Sequence, residues 1–191
     1  IYQFTAPRAC GLSRNKDGSE KADRRNLRLQ LILERLTGKP QESGYQSEAM
    51  KQGIEREPDA IAAYEAEAGV LLDISGFLSH NAYLAGCSLD GSLDDFGVLV
   101  SVKCRQPAAH WDFLRSGIVP PSAIAQMRHE CWITGAREHR YVTFNPDFPT
   151  GKQLKFMIWT RDKRDIPGYE VEALKFLDEV DLELDALDGW K

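Results

Sequence analysis

Apolar residues recur along this chain with two different periods. Over residues 24–37 the step is three or four, with Leu29, Leu33 and Leu36 on one face and Gly38 just beyond, which predicts a helix with a glycine stop. Over residues 47–68 the spacing is helical again, and Met50, Ile54, Glu57, Ile61 and Tyr64 follow at steps of 4, 3, 4 and 3. Pro58 falls inside that stripe, so a break, a kink or a new helix start is expected there. After Gly69 the period shortens, and the runs 70–74, 76–79, 84–88 and 97–102 read as short strands. Asp90-Gly91 and Asp94-Asp95 mark turns between them. Helical spacing returns at 108–115 and 122–134, two strands are expected at 139–144 and 154–160, and a last helix at 169–187. Residues 1–26 read as an irregular polar segment.

This order of elements, without an internal repeat or a long linker, predicts a single α/β domain over residues 1–191 with a mixed central sheet flanked by helices. A chain of 191 residues, 42% hydrophobic and 28% charged, buries a core without help from disulfides. Cys10, Cys87, Cys104 and Cys131 form no C-x-x-C pair and show no zinc spacing with histidine, so they read as thiols in a reducing cytoplasm. No apolar run approaches the ~18 residues of a membrane span, and the first residues show no secretory pattern.

The net charge of −5 argues against a nucleic-acid partner until it is divided along the chain. Residues 1–40 carry nine basic against four acidic side chains, and residues 165–191 carry nine acidic against two basic. The basic front is the natural phosphate-binding segment, with Arg8, Arg25 and Arg28 as its candidate contacts. Residues 105–121, with His110, Trp111, Arg115 and Pro120-Pro121, are a candidate loop for touching or wedging a DNA end.

Four features carry chemistry: Glu57 on an apolar stripe, Asp90 at the end of a β run, Lys103 at the end of the strand 98–104, and Gln126 on the helix that follows. Each has a bland reading: a solvated Glu, a turn Asp, an exposed Lys, a surface Gln. Together they fit metal-assisted phosphodiester hydrolysis. Carboxylates hold a hard cation that keeps several waters, a strand-end carbonyl such as that of Val102 adds an oxygen, and a lysine steadies the attacking water or the developing charge.

In this combination the sequence resembles the PD-(D/E)XK nuclease superfamily, and within it the lambda exonuclease and YqaJ-like group of phage-type alkaline exonucleases. The matching stretches are Glu34-Arg35-Leu36-Thr37-Gly38, residues 53–60 with Tyr64, Ser88-Leu89-Asp90-Gly91, Val102-Lys103-Cys104, Ala125-Gln126-Met127 with Trp132-Ile133-Thr134, and Phe144-Asn145-Pro146-Asp147. The resemblance implies a restriction-endonuclease-like core. It makes Asp90 the central metal ligand, Glu57 the helix carboxylate that completes the site in preference to Glu55, Lys103 the catalytic lysine, and Gln126 a holder of water or phosphate. It further implies Mg²⁺, with Mn²⁺ as a substitute and a two-metal site, and 5′-to-3′ digestion of linear duplex DNA that leaves 3′ overhangs. A homotrimer, a single-strand annealing protein as partner, and a bacterial or phage-infected cytoplasm are implied in the same way.

Two positions depart from the family pattern. Pro7 stands in Thr5-Ala6-Pro7, where the family has Thr-Ala-Ser at its 5′-phosphate pocket. Ser101-Val102-Lys103 stands where the family has Glu-x-Lys. Ser101 therefore leaves three explanations open: a substitution introduced to trap a DNA complex, a natural replacement with another acid such as Asp94 or Asp95 supplying the charge, or an inactive relative that only binds DNA ends. A site-specific endonuclease on the same core is a further alternative.

Overall fold

A computed structural model describes residues 3–41, 47–161 and 165–188. Strand β1 (Phe4–Thr5) runs into a 3₁₀ turn at Ala6–Leu12, followed by α1 (Ala22–Thr37) and α2 (Glu48–Ala68). Strands β2 (Phe77–Ser79), β3 (Ala85–Ser88), β4 (Gly91–Leu93) and β5 (Val98–Cys104) come next. Then follow α3 (Pro107–Ser116), α4 (Pro121–Thr134), β6 (Glu138–Phe144), β7 (Leu154–Thr160) and α5 (Asp165–Asp188). The main sheet has the order β4-β5-β6-β7, with β5 and β6 parallel and the outer pairs antiparallel. A smaller sheet has the order β1-β3-β2. The expected α/β fold with a mixed sheet is the one observed.

Strand β5 is covered on both faces, so its Val98-Leu99-Val100-Ser101-Val102 run is almost continuously buried instead of alternating. Val100 and Val102 share a cluster with Ala60 and Tyr64 of α2. Leu99 shares another with Leu31 of α1, Cys131 and Trp132 of α4 and Phe176 of α5. The parallel step from β5 to β6 requires a crossover, which α3 and α4 supply. Residues 105–121 are therefore largely helical. Trp111 is 53% exposed on α3, and His110 is buried, with Nε2 2.8 Å from the Lys152 carbonyl oxygen.

Three expectations change. On α1 the buried stripe is Arg24, Leu27, Leu31 and Glu34, while Leu33 and Leu36 are 44% and 55% exposed. With Ile32 beside that stripe, two of the five buried residues of α1 are charged, so apolar spacing selected the wrong face. The helix α2 runs unbroken through Pro58. Ile54, whose carbonyl the Pro58 ring leaves without its usual donor, lies on the exposed side, where water can hydrate that group. Residues 70–74 form no strand and make only an isolated bridge, Asp73 to Ser92.

Candidate active site

The β4–β5 hairpin creates the site by ending early. Gly91 pairs with Val100, and β4 goes no further. One step beyond, the Asp90 side chain takes the place of the missing strand, and its Oδ2 accepts the Val102 N–H at 2.7 Å. Residues two apart on a strand face the same neighbour, so the Val102 carbonyl also lies on this uncovered edge. Lys103 Nζ stands 3.5 Å from the same Asp90 oxygen. Glu57 approaches from α2. Burial, and then the charge of Asp90, push its carboxyl above the usual glutamate range, while Lys103 acts in the opposite sense. Cys104 borders the group, and burial, then Glu57, push its thiol up to about 11. Asp90, Glu57, Lys103 and Val102 thus meet at one edge of the sheet.

Ser101 and Gln126 meet on the α4 face of the same strand, around Glu130, which its sequence context does not single out. Ser101 is buried on the α4 face of β5, and its Oγ donates to Glu130 Oε2 at 3.3 Å. Gln126 Nε2 donates to Glu130 Oε1 at 2.7 Å. His139 Nε2 lies 2.5 Å from Glu130 Oε2. The signal available in the sequence was spacing: Glu130 is four residues after Gln126, on the same helix face. Asp94 and Asp95 do not supply the missing charge. They occupy the turn at the opposite end of the β4–β5 hairpin from Asp90, and Asp94 pairs with Arg137 at 2.6 Å. Among the described residues, no three His, Cys, Asp or Glu side chains form a ready metal cage.

The basic front of the chain and its acidic tail turn out to be largely each other's partners. Arg24 and Arg14 reach Glu179, Arg28 reaches Glu20 and Glu183, and Arg35 reaches Asp181. Arg8 forms a bidentate pair with Glu34 at 2.9 and 2.8 Å. Arg8 and Arg28 are therefore engaged in ion pairs within the protein. Arg25 is exposed and has no ion pair among the described residues.

A mixed sheet that presents two carboxylates, a strand-edge carbonyl and a lysine at the end of a short strand defines a nuclease-like fold of the PD-(D/E)XK class. Residues 9–137 match the YqaJ-like viral recombinase domain, and the chain belongs to that family. An alkaline exonuclease from Laribacter hongkongensis superposes with a TM-score of 0.88 at 28% identity, over 98% of this chain and 92% of its own. Its complex with dAMP gives 0.87 at 29% identity over the same shares. A phage-related exonuclease from Haemophilus somnus shares the fold, with a TM-score of 0.74 and 12% identity over 97% and 96% of the two chains. No curated protein matches the sequence. Among the described residues no helix is long and apolar enough to cross a membrane.

Proposed function

We propose that this protein is a Mg²⁺-dependent 5′-to-3′ exonuclease that resects linear duplex DNA and leaves 3′ overhangs for recombination by strand annealing. The observation that carries the reading is the meeting of Asp90, Glu57, Lys103 and the Val102 carbonyl at the uncovered end of β5. The donor set suits a divalent cation: hard oxygens, with Asp90 and Lys103 partly exposed so that solvent reaches the group. Asp90 and Glu57, with the Val102 carbonyl, would hold it, and Mn²⁺ suits the same oxygens. When bound, such an ion lowers the pKa of a water and offsets charge on the phosphate, singly or as one of a pair.

The side chains do the rest. The Val102 N–H fixes the orientation of Asp90, leaving its other oxygen free. Lys103 brings a positive charge to the place where a phosphodiester gains negative charge. Arg25, with exposed Trp111 as a stacking surface, supplies contacts to the duplex end. A homotrimer around the DNA and a single-strand annealing partner complete the reading, on family grounds.

The test is digestion of end-labelled linear duplex against a covalently closed circle, with Mg²⁺ or with chelator. Linear DNA is degraded from its 5′ ends only with metal, and the circle survives. Rapid cutting of circles would point to an endonuclease. Lys103→Met lowers cleavage by about 10²–10³-fold and leaves gel-shift affinity for duplex ends unchanged. A variant that still cleaves removes Lys103 from the chemistry. Ser101 favours one other reading, a protein of the same fold that binds DNA ends without cutting them. Tight end binding with no cleavage under any divalent metal identifies that case.

A further inference from the structure

We infer that Glu130 supplies the carboxylate that position 101 lacks, so that the metal-binding acid has moved from strand β5 to helix α4. The inference rests on the nuclease reading above and names the residue that completes its site.

The juxtaposition is local. Asp90 is held by the N–H of Val102, and Glu130 is held by the Oγ of Ser101, the residue immediately before it. The two carboxylates thus flank one peptide unit of β5. Lys103 is two residues from Ser101 on the same strand face, about 6.6 Å along the strand. A Ser side chain ends at Oγ, and the Glu130 carboxylate occupies the space just beyond it, 3.3 Å away. Gln126, the other α4 residue implicated in the site, grips the second Glu130 oxygen at 2.7 Å and sets its direction.

The surroundings also argue against a purely structural role. Glu130 is 1% exposed, on a helix face that packs against the core, where an apolar side chain meets every packing need. Its other partner, His139, is buried too, and His139 Nδ1 has no hydrogen-bond partner among the described residues. A polar cluster kept for stability alone is expected to close on itself. This one leaves His139 Nδ1 unpaired among the described residues while keeping a carboxylate beside the strand that carries Lys103. The exchange is complementary, a short neutral side chain at 101 facing a long acidic one at 130.

The experiment is a Mn²⁺ titration by calorimetry on the DNA-free protein, run beside digestion of linear duplex. Glu130→Gln keeps an oxygen acceptor for His139 and loses the charge, and it weakens Mn²⁺ binding by about 10–100-fold. Digestion falls with it. The double variant Ser101→Glu/Glu130→Gln returns the carboxylate to the strand and recovers both. Ser101→Glu alone sets two buried carboxylates against each other, lowers the melting temperature and brings no gain in Mn²⁺ affinity. Unchanged Mn²⁺ affinity in Glu130→Gln overturns the inference and leaves the exonuclease reading standing. A wild-type protein that binds no Mn²⁺ and cleaves nothing overturns both. Should Glu130→Gln fail to fold, Glu130→Asp carries the test, since it keeps the charge and shortens its reach, and wild-type affinity there also overturns the inference.

Discussion

Asp90→Asn abolishes metal-dependent digestion, by on the order of 10³-fold, because it removes the charge at the centre of the site. The protein stays folded. Asn retains an oxygen that accepts the Val102 N–H, so the bond at 2.7 Å that positions the side chain survives. The lost attraction to Lys103 matters little for stability, since both side chains are partly exposed and the pair is 3.5 Å apart. Single-turnover digestion and a thermal melt separate the two effects. Near-wild-type cleavage would remove Asp90 from the site, and a large drop in melting temperature would mean that its role is to hold the hairpin.

Glu34→Ala destabilises the fold by about 3–5 kcal/mol without touching the site. Glu34 is 2% exposed, and its carboxylate receives both Arg8 nitrogens and the Gln41 N–H at 3.0 Å. Removing it takes the bidentate carboxylate from a largely buried guanidinium and the acceptor from the Gln41 amide. Burial pushes the Glu34 carboxyl up, but the Arg8 and Gln41 hydrogen bonds outweigh that and hold it below the usual glutamate range. A depressed pKa in the folded state contributes stability above the unfolded value and loses it as pH falls through the folded one. The stability gap between wild type and Glu34→Ala is therefore full at neutral pH and closes on the acid side of the ordinary glutamate range. Urea denaturation of both proteins at about pH 7 and about pH 3 measures it. A gap independent of pH would mean that lost packing, and not the ion pair, is responsible.

Glu34 also shows where sequence reading stops. The stretch Glu34-Arg35-Leu36-Thr37-Gly38 was visible as a motif, but its work is structural: Glu34 ties Arg8 and the 3₁₀ turn to α1, and Gly38 caps the helix in a left-handed conformation. The carboxylate that Arg8 reaches lies 26 residues away. Arg28 pairs both with Glu20, eight residues away, and with Glu183, 155 residues away. Charge runs report composition, and only chain folding reports which charges have already been spoken for.

The motifs at the proposed catalytic edge were more legible. Asp90, Val102 and Lys103 lie within one hairpin, where local geometry settles their meeting: a turn, a short strand, and a partner strand that outlasts it. Glu57 came from helical spacing, and it lies one turn before Ala60 and Ile61, which pack on the sheet with Tyr64. Glu130 did not, because an acid in an apolar helix has no meaning until β5 is laid beside it.

By itself, the amino-acid order determined most of the helices and strands, the mixed α/β sheet, and the cluster of Asp90, Val102 and Lys103, since periodicity and short-range turns are properties of neighbours along the chain. Tertiary structure alone decided which face of α1 is inside, that the basic front pairs with the acidic tail, and that Glu130 reaches Ser101. Those outcomes depend on long-range pairing of charges and burial, and a side chain that is satisfied across the fold leaves no mark in its local sequence.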